Sequence, residues 1–380
     1  MCVCACSCEF QFIESMFIID AHLDLATNAI TLNRDLTKPV LALREKEKRL
    51  NWKDTQDRGN GTVALPELRK ANVGLVVATI ISRYSDSGNA LPTLNLPGWH
   101  SAEQAYAFGQ AQRAWYDVME ESGEMAQITT WPQLQNHLAL WANTSIANAK
   151  KPVGYILSLE GADSVVNLGY LEKYYEQGVR AIGPAHFGPG RYAAGTHSDG
   201  SGLTAIGKEL LREMDRLKII LDTTHLTDTG FFEAMDIFNG VVWASHQNCR
   251  TLVPGERQFS DEQLRLIIER DGVMGGALDT WMLYPEFEMG KGNPRDLGIN
   301  LEKLVDHFDH ICQLAGNSLH IGFGTDLDGL FGTEQTPYDM DTIADIVKFK
   351  SILTSRGYTE ENIDNIFFGN WLRIISKAWT

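Results

Sequence analysis

Eight short runs rich in Val, Ile, Leu and Ala, each followed by a longer polar or helix-forming stretch, constrain the fold of this chain more than any other feature. They are "MFIID" (16–20), "VGLVVATI" (73–80), "VGYILSL" (153–159), "VRAIGPA" (179–185), "KIILD" (218–222), "VVWAS" (241–245), "GVMGGAL" (272–278) and "LHIGFG" (319–324). Near-continuous apolar strands alternating with helices indicate a parallel sheet covered on both faces. Eight of them predict closure, so the expected fold class is α/β, a (β/α)8 TIM barrel, and 380 residues suit one such barrel with insertions. A single domain over 16–380 is the expectation.

Two intervening segments read as outer helices. Residues 101–119 open with Ser101 and Gln104 as a capping box and set Ala105, Phe108, Ala111, Trp115 and Met119 along one face. Residues 300–315 carry Leu301, Leu304, Val305, Phe308 and Cys312 on one stripe, and Gly316 supplies a stop. The connections after strands one and two, roughly 27–72 and 81–152, are too long for turns; they hold a charged patch, "REKEKRLNWKD", and a Pro- and Gly-rich piece, "GNALPTLNLPGW". Long insertions after barrel strands lie on the face where active sites form, so both are expected to shape a pocket.

Composition narrows the function classes. An apolar fraction of 44% with 22% charged residues fits a globular protein with a large core. The formal net charge of −16 argues against a nucleic-acid partner, which needs clustered Lys and Arg. No run of eighteen apolar residues and no basic patch leading into an apolar core is present, so the expectation is a soluble cytoplasmic protein that does not engage a membrane. Four of six cysteines lie in "MCVCACSC", at Cys2, Cys4, Cys6 and Cys8, with Cys249 and Cys312 elsewhere. That spacing is not a zinc ribbon. Residues 1–15 are read as a disordered Cys-rich arm, or as an over-long start with Met16 the true beginning.

The chemistry gathers where strands end. In "FIIDAHLDLA", Asp20, His22 and Asp24 alternate, and side chains at i, i+2 and i+4 of a strand share a face. Strand three ends in Glu160 of "SLEGAD", strand four in His186 of "GPAHFG" and strand five in His225 of "LDTTHL". Strand six ends in His246 of "ASHQN", and strand eight in Asp326 of "GFGTDLDG". One such residue alone is more often a hydrogen-bonded structural group, a helix cap or a turn residue. Their shared placement on one rim is the signal, because barrel enzymes place catalytic groups at the carboxyl ends of strands.

The remaining histidines serve as a comparison. His307 and His310, three apart mid-helix, read as a solvated face; His100, His137 and His320 read as structural, and His197 is undecided. Imidazoles and carboxylates suit Zn(II), and two His-based sets around one carboxylate suggest a pair of zinc ions. A carboxylate can bridge metals about 3.5–4 Å apart, and the shared water then loses a proton near neutral pH, so metal-assisted hydrolysis is the expected chemistry.

These residues resemble the renal (membrane) dipeptidase family, peptidase family M19, zinc metallopeptidases among the amidohydrolase-type barrels. The likeness rests on "DAHLD", "LEGAD", His186, "DTTH", "ASHQNCR", "GFGTDLDG" and the closing "FFGNWLRI", and covers roughly 16–376. It implies that His22 and Asp24 hold one zinc, His225 and His246 the other, with Glu160 bridging. It further implies that His186 contacts substrate and steadies the oxyanion, that Arg257 grips the substrate carboxylate and that Asp326 shuttles a proton to the leaving amine. Arg250 of "QNCR" is the alternative clamp, and Asp20, Asp163 and Asp222 are expected to orient ligands or cap helices. The implied substrate is a small dipeptide, including L-Xaa-D-Xaa, and the resemblance favours a homodimer.

The chain departs from the family in "IGPAHFGPGRYAAG", where many relatives have a Thr-rich run before the histidine of strand four. An amidohydrolase for another amide, such as an N-acyl amino acid, and a non-catalytic metal-binding barrel are the competing readings. No G-x-G-x-x-G opens a helix after a strand, which argues against an oxidoreductase.

Overall fold

The computed structural model describes residues 17–84 and 98–380, so the four-cysteine run and most of "GNALPTLNLPGW" lie outside the described residues. Among the described residues nine parallel strands form one sheet: β1 (Ile18–Leu23), β2 (Val73–Ile81), β3 (Met125–Gln127), β4 (Val153–Glu160), β5 (Val179–Gly183), β6 (Ile220–Asp222), β7 (Val242–Trp243), β8 (Met274–Gly276) and β9 (Ile321–Phe323). Eight of them run in the order β7-β6-β5-β4-β2-β1-β9-β8. A parallel bridge between Ala244 and Met274 joins the two ends, so the sheet closes into the expected barrel. Each of the eight apolar runs became one of these strands.

β1, β2 and β4 are buried along their whole length, as strands flanked on both faces must be. The ninth strand, β3, was not anticipated; it pairs with Val153–Tyr155 at the start of β4, while β5 pairs only from Leu157 onward. Three residues between two helices leave no apolar run to read.

The helix Ala102–Glu121 forms where expected, but its buried stripe is Ala105, Gly109, Gln112 and Tyr116, rotated by about one position from the predicted face. Polar anchoring sets that rotation. The Gln112 amide bonds both the N–H and the carbonyl of Ile81, at 3.0 and 2.6 Å, and Tyr116 OH donates to the Thr79 carbonyl at 2.9 Å. Gly109 sits where a Cβ would lie 2.7 Å from Tyr174 OH and 3.3 Å from Ile80 of β2, so a larger residue there would press on both. Ser101 caps the Gln104 N–H, yet Gln104 Oε1 accepts from His100 rather than completing a capping box.

The helix Glu302–Ala315 ends at Gly316 in the left-handed conformation, as read. His307 corrects the solvated expectation: it is buried, and its Nδ1 accepts the Cys249 N–H at 3.0 Å. "FFGNWLRI" closes the amino-terminal end of the barrel. Asn370 Nδ2 donates to the Ser318 and Ile321 carbonyls, and Trp371 meets Trp243 edge-on at 5.8 Å.

The insertion between β1 and β2 carries the helices Leu25–Ile30, Val40–Leu50 and Leu65–Lys70 and wraps a buried ion network. Arg34 pairs with Glu47 at 2.8 Å and Asp57 at 2.7 Å, and its Nη1 donates to Asn28 Oδ1. Asn28 Nδ2 in turn donates to the Asp24 and Asp328 carbonyls, at 3.0 and 2.8 Å. Asp328 also accepts from Thr62 and Val63, which ties the insertion to the loop after β9.

Candidate functional site

The carboxyl ends of the strands bring His22, Asp24, Glu160, His186, His225, His246, Arg257 and Asp326 to one rim. Glu160 is the last residue of β4 and stands at the centre. One of its oxygens lies 3.4 Å from His22 Nε2; the other lies 3.1 Å from His225 Nε2 and 3.6 Å from each of His246 Nε2 and His186 Nε2. His225 and His246 face each other Nε2 to Nε2 at 3.0 Å. His22 Nε2 is 3.9 Å from Asp24 and 3.8 Å from Asp326.

Close backbone packing permits this convergence. A Cβ on Gly275 or Gly324 would fall 1.9 or 1.7 Å from the Ser245 carbonyl, so the ends of β7, β8 and β9 can crowd together only around glycines. His225 and Asp326 adopt left-handed backbone, with φ of 67° and 57°, uncommon for residues other than glycine and concentrated at functional sites. The His225 carbonyl is held by the Thr196 N–H at 2.9 Å.

The donor set fits metal ions. Ligand atoms of a tetrahedral zinc at about 2.0–2.1 Å stand about 3.3 Å apart, close to the spacings among His225, His246 and Glu160 and between His22 and Glu160. His22 Nε2 and Glu160 Oε2 are buried without a hydrogen-bond partner, in a class of atom that is nearly always satisfied. Triads suited to an ion include His22–Asp24–Glu160, His22–His246–Asp326 and Glu160–His186–His225, so distance alone admits His186 beside His225.

Electrostatics point the same way. Burial lowers the pKa of His225 and His246 well below the usual value, with Arg257 adding to it, which keeps their lone pairs free for a metal. Burial should also lower His22, but Glu160, Asp24 and Asp326 outweigh it and push His22 up to about 10. Burial and the nearby Glu160 raise Asp24 to about 7. Burial raises Asp326 well above the carboxylate range, and Asp24, Glu160 and Asp279 add to it. Burial likewise opposes ionisation of Glu160, but His22 and His186 hold its carboxyl well below the usual range. This cluster has an excess of carboxylates that draws positive charge inward.

Groups around the rim hold the donors in place. Ser245 Oγ lies between His246 Nδ1, at 2.9 Å, and His22 Nδ1, at 3.4 Å. Thr79 Oγ1 donates to Asp24. Asp20 accepts from Thr325 and from the His22 N–H, and Asp222 accepts from the Thr224 and Ser245 N–H groups, so both fix backbone beside the donors. Asp163 instead accepts from Arg191 and Tyr84 N–H and shapes the loop after β5. Ser245 was legible as the neighbour of His246, whereas Thr79, inside an apolar strand, gave no signal.

Above the donors opens a cavity of about 150 Å³. Asp24, Glu160, His186, His225, Arg257 and Asp326 line its floor. Asp326, with 17% of its side chain exposed, is the most open carboxylate of the cluster. Arg257 is buried, donates to Gln247 Oε1 at 2.8 Å and the His246 carbonyl at 3.0 Å, and remains cationic although burial lowers it to about 10. Arg250 instead forms a two-pronged pair with Asp228 at 2.6–2.7 Å on the exterior, so the arginine that lines the cavity is Arg257. Asp279, after β8, was missed by the sequence reading; it lines the cavity and accepts from Gln335 and Trp281.

Among the other histidines, His137 and His320 are buried on the Gly74 and Gly272 carbonyls, as read. His310 is partly buried against Asp261 at 2.8 Å. His197 reaches the cavity mouth.

The model of the membrane dipeptidases, peptidase family M19, matches residues 9–380. This chain belongs to the membrane dipeptidase family. Membership makes it a metal-dependent hydrolase of the dipeptidase class. It is 27% identical over 237 residues to an uncharacterized protein in the pqqA 5′ region of Klebsiella pneumoniae, covering 60% of this chain and 83% of that one. It is 26% identical over 235 residues to dipeptidase tcpJ of Claviceps purpurea (strain 20.1), covering 59% of this chain and 52% of that one. The chain spans about half the length of several curated relatives it matches. The fold is shared with a metallopeptidase from Rhodobacter sphaeroides, at a TM-score of 0.75 and 22% identity, covering 96% of this chain and 100% of that one. No helix among the described residues is long and apolar enough to cross a membrane.

Proposed function

We propose that this family member is a binuclear zinc dipeptidase that cleaves small dipeptides, L-Xaa-D-Xaa among them. The observation that carries the reading is Glu160, whose two oxygens face His22 on one side and His225 with His246 on the other. His22, Asp24 and Glu160 would hold one ion, and Glu160, His225 and His246 the second. Two such ions, when bound, would supply Lewis acidity that polarises the scissile carbonyl and lets a water lose a proton near neutral pH.

The chain's own groups do the rest. Arg257 receives the terminal carboxylate of the dipeptide with a forked guanidinium and thereby sets where the scissile bond lies. His186, kept neutral because burial lowers it to about 4, donates a hydrogen bond to the oxygen that gains charge as the carbonyl becomes tetrahedral. Asp326 accepts the proton of the attacking water and delivers it to the amide nitrogen as the C–N bond breaks, so the fragment leaves as a neutral amine rather than as an amide anion. The Rhodobacter sphaeroides neighbour was solved with a phosphinate mimic of L-Ala-D-Ala, which supports including a D-residue at the carboxyl side. A cytoplasmic location fits the free thiols of Cys249 and Cys312, and a homodimer follows the family resemblance.

Amino acid release from L,L and L,D dipeptides by zinc-loaded protein tests the reading, with Asp326→Asn as the control. Turnover with two zincs per chain, reduced roughly 10²–10⁴-fold in the variant with zinc retained, is the expected result. No turnover of any dipeptide by protein verified to hold two zincs refutes it and directs attention to N-acyl amino acids.

A further inference from the structure

We propose that the mouth of this cavity selects dipeptides carrying at least one bulky apolar side chain, and that Leu330 sets the preference. The inference rests on the dipeptidase reading and names its substrate class. Beside its charged groups the cavity is lined by apolar ones, the buried Met282 and Phe331 and the more exposed Phe187, Trp281, Met289 and Leu330. Phe187 packs on the His225 ring at 4.6 Å and on His197 at 5.3 Å, so an aromatic surface runs from a metal-binding imidazole to the mouth. Met289 is 53% exposed at the rim, where a flexible thioether can adapt to what enters.

Leu330 carries the argument. Its φ of 67° lies in the left-handed region, which a bulky aliphatic residue seldom occupies unless surrounding structure imposes it. Two other residues of the same loop share that backbone, Asp326 at 57° and Asp328 at 60°, and each makes polar interactions: Asp326 faces His22, and Asp328 receives the Thr62 and Val63 N–H groups. Leu330 has no polar group to satisfy and lies partly exposed at the cavity, between Gly329 and Phe331. A glycine there would remove the strain. Holding a leucine in this conformation places an apolar side chain on the cavity wall, where it can contact a substrate side chain and exclude water from it.

An added apolar group in such a pocket changes kcat/KM by about 10–200-fold per methylene. The experiment measures kcat/KM of the zinc-loaded full chain on Gly-Gly, Leu-Gly, Gly-Leu and Asp-Gly. Leu330→Asn tolerates the left-handed backbone but removes the apolar wall, Leu330→Met preserves the wall, and Leu330→Gly relieves the strain. The unsubstituted protein should favour a leucine-containing dipeptide over Gly-Gly by at least about tenfold. That ratio should fall toward unity in Leu330→Asn and Leu330→Gly and persist in Leu330→Met. Equal rates on Leu and Gly dipeptides, or a leucine preference that survives both wall-removing variants, overturns the inference while leaving the dipeptidase reading intact. Failure to cleave any dipeptide sinks both.

Discussion

Replacing Arg257 with Met removes the one guanidinium that lines the cavity among the described residues, and the structure sets the size of the effect. Of five guanidinium N–H donors, two are engaged, by Gln247 Oε1 at 2.8 Å and the His246 carbonyl at 3.0 Å, which leaves three for a substrate carboxylate. The fork is therefore pre-oriented. Two charge-assisted hydrogen bonds to a carboxylate contribute about 3 kcal/mol after competition with water, or roughly 100-fold in kcat/KM. The assay compares Leu-Gly with its C-terminal amide, which lacks the charge. Unsubstituted protein should prefer the free acid by about that factor, and Arg257→Met should nearly abolish the preference by losing activity on the acid. Arg257→Lys should fall between, since it retains charge without the fork. A Met variant that still separates acid from amide by 100-fold, with folding and zinc content intact, would refute the assignment of Arg257 as the carboxylate clamp.

Other perturbations test the support around the site. Arg34→Met leaves Asp57 buried without its cation, while Glu47 keeps Arg58 at 2.8 Å, and should destabilise the chain by about 3 kcal/mol in urea unfolding. Because Arg34 also holds Asn28 against the Asp24 and Asp328 carbonyls, activity should fall before the protein unfolds. Burial lowers His307 to about 3, so below pH 6.5 the unfolded chain binds a proton that the native state refuses, and stability falls as pH drops from 6.5 toward 3. His307→Gln should therefore flatten the acid side of the stability profile by up to about 1.4 kcal/mol per pH unit. Chelation should lower the melting temperature and abolish hydrolysis, and stability should recover by about 1.4 kcal/mol per bound ion, about 2.8 kcal/mol for the pair, for each tenfold rise in free zinc above both Kd values; a melting curve indifferent to zinc would contradict the metal assignment.

The eight barrel strands were legible because parallel strands buried on both faces must be apolar along their length, and the acid and imidazole side chains at their ends stand out against that background. The same local contrast made His22, Glu160, His225, His246 and Asp326 readable. It failed where a residue's role depends on a distant partner. His307 has the mid-helix spacing of a solvated residue, yet the chain around Cys249 folds over it. The helix Ala102–Glu121 turned its Gln112 inward because a polar side chain found both backbone groups of Ile81, a contact that apolar periodicity cannot register.

Residue order alone therefore determined the barrel, its rim and the chemical character of the site, since all three follow from periodicities and side-chain types close in sequence. Tertiary structure decided which arginine enters the cavity, how Glu160 divides its oxygens, and that Leu330 is held in strained backbone beside it. These depend on contacts across hundreds of residues, such as Asn28 with Asp328, and on the single closed arrangement in which every strand end meets the others.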